Sequence, residues 1–247
     1  MVIDDVTDRR RLEAVRRDFV ANISHELKTP VGALAVLAEA AADSDEPDVV
    51  RRLTNRMVDE AHRAALTIDD LLELSRIELG GKALQGVVDV HVVLLDAIER
   101  TAAVAAQSDV RIVCGSTDVH LKVIGDSRQL VSALANMIDN AVKFSDRDGE
   151  VVVRVTEHDG WAALAVEDHG VGIPTRDLDR VFERFYRVDQ ARSRGTGGTG
   201  LGLAIVRHVA TNHGGDVVVE SEEGVGSTFT LRVPAATSVA GRPEGDD

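Results

Sequence analysis

Apolar residues recur at steps of three and four between residues 8 and 42, at Leu12, Val15, Phe19, Ile23, Leu27, Val31 and Leu34. That spacing predicts a long helix with one apolar face. Pro30 removes a backbone donor and is expected to bend this helix a turn beyond His25 rather than end it. The polar run Asp43-Ser44-Asp45-Glu46-Pro47 then breaks the chain, and a second periodic segment follows with Val50, Leu53, Met57, Ala61, Ala64, Ile68 and Leu71. The two segments read as a helical hairpin. Their apolar stripes are longer than a lone hairpin can cover, so pairing with a second copy as a four-helix bundle is expected.

Gly80-Gly81-Lys82-Ala83-Leu84-Gln85-Gly86 is short, flexible and polar at its start, which places a domain boundary there. Beyond it the pattern changes period. Strands are expected near 87–90, 110–114 and 119–124, with helices over about 92–106 and 127–144. The second of these helices carries Leu130, Leu134, Ile138 and Val142 on a stripe that faces a sheet. Residues 150–156 alternate cleanly, Asp159-Gly160 is a turn with Trp161 packed near it, and 161–166 returns as a hairpin strand. A helix over 201–212 and a strand pair at 216–221 and 227–233 complete an α/β domain with its helices on one sheet. From Ala235 onward apolar periodicity is lost, and disorder is expected.

Composition narrows the function classes. Of 247 residues, 28 are basic and 42 acidic, and a net charge of -14 opposes a polyanion whose binding needs clustered Lys and Arg. Nucleic acid is therefore excluded as a partner. Arg9, Arg10, Arg11, Arg16 and Arg17 alternate with acids and read as a solvated helix face rather than a membrane patch. No run approaches the roughly 18 to 20 apolar residues a spanning helix needs, so no membrane contact by this chain itself is expected. It reads as cytoplasmic as given, an expectation that leaves open a longer parent protein attached to the inner membrane. Cys114 is the sole cysteine, which rules out an intramolecular disulfide and reads as a buried strand thiol.

Candidate chemistry begins at Ser24-His25-Glu26-Leu27-Lys28-Thr29-Pro30. At about 100° per residue His25 lies some 200° from Ile23 and Leu27, so its ring points away from a core those two face. Glu26 stands where it can accept from one ring N–H and leave the other nitrogen nucleophilic. Thr29 is four residues on, on the same face, where its hydroxyl can position a water. A zinc site fails, because H-E-x-x-H requires histidine at position 29. His62, His91, His120, His158, His169, His208 and His213 read as surface or turn residues.

A second constellation lies downstream. Asn136 and Asn140 project to one side of a helix with Lys143 a turn away; amide oxygens suit Mg²⁺ that bridges phosphates, and the ammonium adds compensating charge. Asp168-His169-Gly170-Val171-Gly172 ends a strand with an acid and two glycines, as where backbone approaches a ligand closely. Asp168 can accept from an exocyclic amine. Gly195-Thr196-Gly197-Gly198-Thr199-Gly200-Leu201-Gly202 precedes a helix whose free N–H groups can meet phosphate oxygens. Its literal G-x-G-x-x-G is a weak dinucleotide fingerprint, since no strand precedes it, and a Walker-type loop is absent. Phe182 and Phe185 lie between the glycine turns, as a helix-packing pair or as the anchor of a mobile segment.

In order and spacing these motifs resemble two-component sensor histidine kinases, and the resemblance covers nearly the whole chain: Phe19 to Pro30 looks like the phosphoacceptor box. It implies a multi-domain protein, an all-α helical hairpin forming a dimeric four-helix bundle followed by an α/β two-layer sandwich of the Bergerat ATPase/kinase type. The implied domains are a signalling-helix linker over 1–17, whose Val2 to Asp8 resembles the tail of a PAS-type sensor domain, and a dimerisation and phosphoacceptor hairpin over 18–80. A hinge over 81–86, an ATP-binding domain over 87–234 and a disordered tail over 235–247 follow. The implied activity is ATP-dependent protein-histidine kinase, with ATP and Mg²⁺ as cofactors and a homodimer and a response-regulator receiver domain as partners. His25 takes the γ-phosphoryl group, Glu26 assists as base, and Thr29 serves hydrolysis of the phosphorylated partner. Asn136 and Asn140 hold Mg²⁺; Lys143, Phe144, Asp168, Gly170, Gly172, Phe182, Phe185, Gly198, Thr199, Gly200, Leu201 and Gly202 line the nucleotide site, with Asp168 on the adenine amine. Position 144 is Phe where many relatives carry Tyr, so a hydroxyl contact is lost there. Two other classes stand beside this one: an ATP-driven conformational ATPase on the same nucleotide fold, disfavoured because those relatives carry glutamate where Asn136 stands, and a non-catalytic dimeric scaffold.

Overall fold

A computed structural model describes residues 27–79, 86–117, 121–188 and 198–236. His25, Glu26, the linker over 1–17, most of the expected hinge and His120 lie outside the described residues. The chain divides into two compact units, residues 1–72 and 73–247.

In the first unit α1 is helical from its first described residue, 27, to residue 42, and α2 runs over Pro47–Leu79. Pro30 is buried within α1, and the helix continues past it to residue 42. Pro47 opens α2 itself, the position where its absent N–H costs nothing, with Asp48 in the first turn and Arg76 in the last to suit the helix dipole. Leu53, Met57, Ala64 and Leu71 are half-buried, whereas Ala61 and Ile68, read from sequence as part of the same stripe, are exposed.

The second unit holds the last turns of α2, where Leu74 and Ile77 are buried. A short antiparallel pair, β1 (Gly86–Asp89) with β3 (Lys122–Gly125), stands apart from a five-stranded sheet. That sheet has the order β2-β4-β5-β7-β6, built from β2 (Arg111–Thr117), β4 (Glu150–His158), β5 (Trp161–Asp168), β6 (Asp216–Glu222) and β7 (Gly226–Pro234). Only β2 and β4 run parallel. The single sheet expected from sequence is therefore two. On one face of the large sheet pack α3 (Val90–Gln107), α4 (Ser127–Phe144) and α5 (Gly202–Asn212), with α4 in the middle.

Alternation explains the core: Val151, Val153 and Val155 of β4, Ala162, Leu164 and Val166 of β5, and Phe229, Leu231 and Val233 of β7 are buried beneath Leu134, Met137, Ile138, Ile205 and Val209 of the helices. Asp89 and Asp126 cap α3 and α4, each accepting a backbone N–H two residues on at 2.9 Å. Asp159 and Gly160 both take positive φ, 51° and 78°, as a two-residue hairpin turn requires. Trp161 beside them is half-exposed.

Three further expectations need correction. Cys114 is exposed rather than buried, because β2 is an edge strand whose pairing with β4 shifts register between Cys114 and Thr117. Ala235, expected to begin a disordered tail, is buried and bridges Val123, while residues from 237 lie outside the described set. His213 is buried, not a turn residue at the surface: its Nδ1–H donates to the Val209 carbonyl at 2.7 Å and its Nε2 accepts from the Asp126 N–H at 3.0 Å.

Candidate nucleotide site

Helix α4 supplies the site's central wall. Asn136 donates from Nδ2 to the Ser132 carbonyl at 3.0 Å, with the Ser132 hydroxyl at 3.4 Å. A carbonyl can only accept, so this bond fixes which end of the carboxamide is which and turns Oδ1 the other way. Oδ1 faces the start of α5, where a Cβ added to Gly202 would lie 2.7 Å from it. The amide oxygen and the first turn of α5 are thus neighbours only because residue 202 has no side chain. Asn140 and Lys143 follow on the same face of α4.

At the far end of α4 the chain meets the acidic turn. A Cβ on Gly170 would lie 2.0 Å from the Phe144 carbonyl oxygen, and Val171 N–H points to that same oxygen at 3.4 Å. Asp168 is 4% exposed at the end of β5. Burial pushes its carboxyl up from the ordinary range, opposed by backbone hydrogen bonds from Gly170, at 2.9 Å, and from Ser227. Gly172 has φ +66°, and its backbone lies against the Glu222 carbonyl, while Ile173 N–H donates to the Ser221 hydroxyl at 2.8 Å. The β6–β7 turn therefore clasps the loop that follows Asp168.

The second glycine turn is described from Gly198. Thr199 Oγ1 accepts from Leu201 N–H at 3.2 Å, Leu201 is fully buried, and Gly200 has φ +72° with its carbonyl accepting from Phe185 N–H at 2.8 Å. A Cβ at Gly200 would lie 2.9 Å from Phe185 backbone, so this approach also needs glycine. Phe182 packs edge-on against the core residue Phe229, centroids 6.2 Å apart. Gly198 has open space where a Cβ would go. Leu201 is thus a core residue beneath the glycine turn, and Phe182 is half-buried against Phe229.

Three close approaches bring these turns together: Asn136 with Gly202, Phe144 with Gly170 and Asp168, and Phe185 with Gly200. Thr29 lies in the other unit, exposed on α1. The arrangement fits a nucleoside triphosphate with a divalent cation: a buried carboxylate acceptor at one end, amide oxygens and an ammonium in the middle, and the N-terminus of α5 at the other.

Comparison with known proteins decides the family. Residues 15–80 match the family described as His Kinase A (phospho-acceptor) domain, and 125–237 match Histidine kinase-, DNA gyrase B-, and HSP90-like ATPase. The solved structure of the mycobacterial sensor histidine kinase MprB is 35% identical and is covered over 98% of its length, with a TM-score of 0.53 over 62% of this chain. The chain belongs to the two-component sensor histidine kinase family. Within it, the sensor-like histidine kinase SenX3 of Mycolicibacterium smegmatis is 49% identical over 235 residues, 94% of this chain and 61% of that protein. The histidine kinase ThkA, solved in complex with the response regulator protein TrrA, shares the fold over 93% of this chain at 17% identity, with a TM-score of 0.73.

This histidine kinase core also uses residues that the sequence motifs did not single out. The Tyr186 hydroxyl donates to the buried Asp177 at 2.7 Å, a bond that pushes the phenol upward, and the Arg180 guanidinium stacks over its ring at 4.2 Å. Arg184 donates to His208 Nε2 on α5 at 2.9 Å. These contacts root the Phe182–Tyr186 segment beside Gly200. The concentration of aromatics there was the available signal; the partners, nine and 24 residues distant, gave none. Lys143 pairs with Asp139, which the asparagine motif had passed over.

Proposed function

We propose that this chain is the catalytic core of a sensor histidine kinase that binds Mg-ATP, phosphorylates its own His25 and passes the phosphoryl group to an aspartate of a response regulator, with phosphatase activity toward that regulator through Thr29. The observation that carries the reading is the fixed carboxamide of Asn136, its oxygen held at the glycine start of α5, with Asp168 buried at the end of β5. The chain spans 61% of the length of SenX3, and the whole protein's stimulus lies outside this reading. No helix among the described residues is long and apolar enough to cross a membrane.

In this mechanism Asp168 accepts from the adenine amine, which selects ATP over GTP, whose carbonyl at that place offers no donor. Asn136 and Asn140 would hold Mg²⁺, which supplies charge neutralisation for the transferring phosphoryl group. Lys143 and the α5 N-terminus steady the phosphates. His25 attacks the γ-phosphorus through an unprotonated ring nitrogen; the N–P bond forms as the bond to the bridging oxygen breaks, and ADP leaves. Glu26 orients the ring and takes its proton. An amide at position 136 leaves no carboxylate there to activate water, which favours transfer over hydrolysis. The hinge over 81–86 lets the ATP-binding domain over 87–234 reach the hairpin over 18–80.

Homodimerisation through the hairpin is supported by a second seam on α2: Val58, Ala61, Ala65, Ile68 and Leu72 recur at steps of three and four and are all exposed. Incubation with γ-labelled ATP tests the whole reading. Acid-labile, base-stable label on the protein, lost in His25→Gln, is the expected result; phosphate release without labelled protein would mark an ATPase, and neither would mark a scaffold.

A further inference from the structure

Lys143 does not stand alone on the nucleotide-facing side of α4. Its ammonium is ion-paired with the Asp139 carboxylate one turn back, and both side chains are 30% exposed. At about 100° per residue, Asn136, Asp139, Asn140 and Lys143 share an arc of roughly 100°. A carboxylate is thus built into a face otherwise suited to phosphate. As an isolated (i, i+4) surface pair it contributes little to stability; facing a triphosphate, the same negative charge has a second effect.

We propose that Asp139 is a positioning and specificity residue of the nucleotide site: it neutralises Lys143 while the site is empty, so that metal-free ATP meets no net positive charge on the face of α4 that carries Asn136, Asn140 and Lys143, and favours nucleotide that brings a divalent cation. The inference rests on the assignment of this face of α4 to Mg-ATP. Asn136 and Asn140 are neutral, so Asp139 decides the sign of the local charge. When Mg²⁺ is present, the carboxylate is an attractive neighbour to the cation, directly or through one of its waters. When it is absent, the carboxylate repels the phosphates and holds the ammonium back.

The test is ATP binding by the full 247-residue chain, measured by calorimetry in excess Mg²⁺ and in EDTA at one ionic strength. Asp139→Asn is expected to tighten binding in EDTA by about threefold or more, the size of a unit-charge interaction across about 6 Å of water, and to leave binding in Mg²⁺ equal or weaker. The ratio of the two dissociation constants therefore falls at least about threefold. Asp139→Glu keeps the wild-type ratio, and Lys143→Met added to Asp139→Asn abolishes the gain in EDTA. A purely structural pair would lower the melting temperature of Asp139→Asn and leave the ratio unchanged, which overturns the proposal while the nucleotide site stands. Failure of the wild-type chain to bind ATP in either condition overturns both.

Discussion

Asp168 and Gly202 carry opposite kinds of constraint, and substitutions separate them. Asp168 is a carboxylate in a place where desolvation raises its pKa, so the folded state holds its proton more tightly than the unfolded chain does. Its contribution to stability is greatest below the ordinary carboxylate range, near 3.8, and falls as pH rises through the elevated folded value; at neutral pH the charge is a cost to the fold. Asp168→Asn is therefore expected to raise the melting temperature at pH 7, with the gain shrinking as the buffer is taken toward pH 4. The same change weakens ATP binding by about tenfold to a hundredfold, the worth of a hydrogen bond to a charged group. A melting temperature that falls at pH 7 would contradict this account. Gly202→Ala places a methyl 2.7 Å from Asn136 Oδ1 and forces the carboxamide off its Ser132 contact. We expect Mg-ATP affinity to drop about tenfold while the far-ultraviolet spectrum is retained, and a variant that binds normally would remove Asn136 from the site. Both residues were legible in sequence as an acid before glycines and a glycine before a helix. What sequence did not disclose is that Gly202 serves the asparagine across from it.

Helix α4 matches its sequence expectation over 127–144 because two signals agree there: Asp126 is a good N-cap, and the apolar stripe has helical period throughout. The other elements were legible where alternation or capping was local. They were misread where burial depends on a distant neighbour: Cys114 sits in an apolar run whose exposure follows from its edge position, and the separate β1–β3 pair is a matter of topology. His213 is the clearest such case. From the end of α5 it bonds the Asp126 N–H, 87 residues away in sequence, at the start of α4, and no pattern in its own surroundings announces that partner. The contact joins the two helices that carry Asn136 and Gly202. Gly125 gives the ring room, since a Cβ there would lie 2.3 Å from its Cδ2. His213→Leu keeps the bulk and removes both side-chain hydrogen bonds: the Asp126 N–H loses its acceptor at about 1–3 kcal/mol, while the Val209 carbonyl still accepts from the backbone N–H of residue 213. At about 2–4 °C per kcal/mol for a chain of this size, the melting temperature should fall by several degrees, and ATP affinity with it. Thermal denaturation with and without ATP reads both effects, and an unchanged melting temperature would show the pin to be idle.

For the whole molecule, apolar periodicity on α2 separates two seams. One seam, Leu53, Met57, Ala64, Thr67 and Leu71, is buried or half-buried within the hairpin. A second seam, Val58, Ala61, Ala65, Ile68 and Leu72, has the same three-four spacing and remains exposed, with Ile68 at 45% and Leu72 at 50%. The sequence reading merged the two, placing Ala61 and Ile68 on the stripe with Leu53, because a helix with apolar residues on two seams gives one broad hydrophobic signal. Val31, Ala35, Ala38 and Ala42 make a similar exposed row on α1. Small residues at Ala61, Ala65, Ala35 and Ala38 allow helices to approach closely, as knobs-into-holes packing between two hairpins demands. If these seams are the dimer surface, charge placed on them dissociates the protein without disturbing either unit's own core. Ile68→Glu combined with Ala61→Glu should convert a dimer of about twice the chain's 26.5 kDa into a monomer in analytical ultracentrifugation, with ATP binding to the second unit retained. Met57→Glu, on the inner seam, should instead unfold the hairpin. A double variant that still sediments as a dimer would move the interface off α2 and leave its exposed seam without a partner.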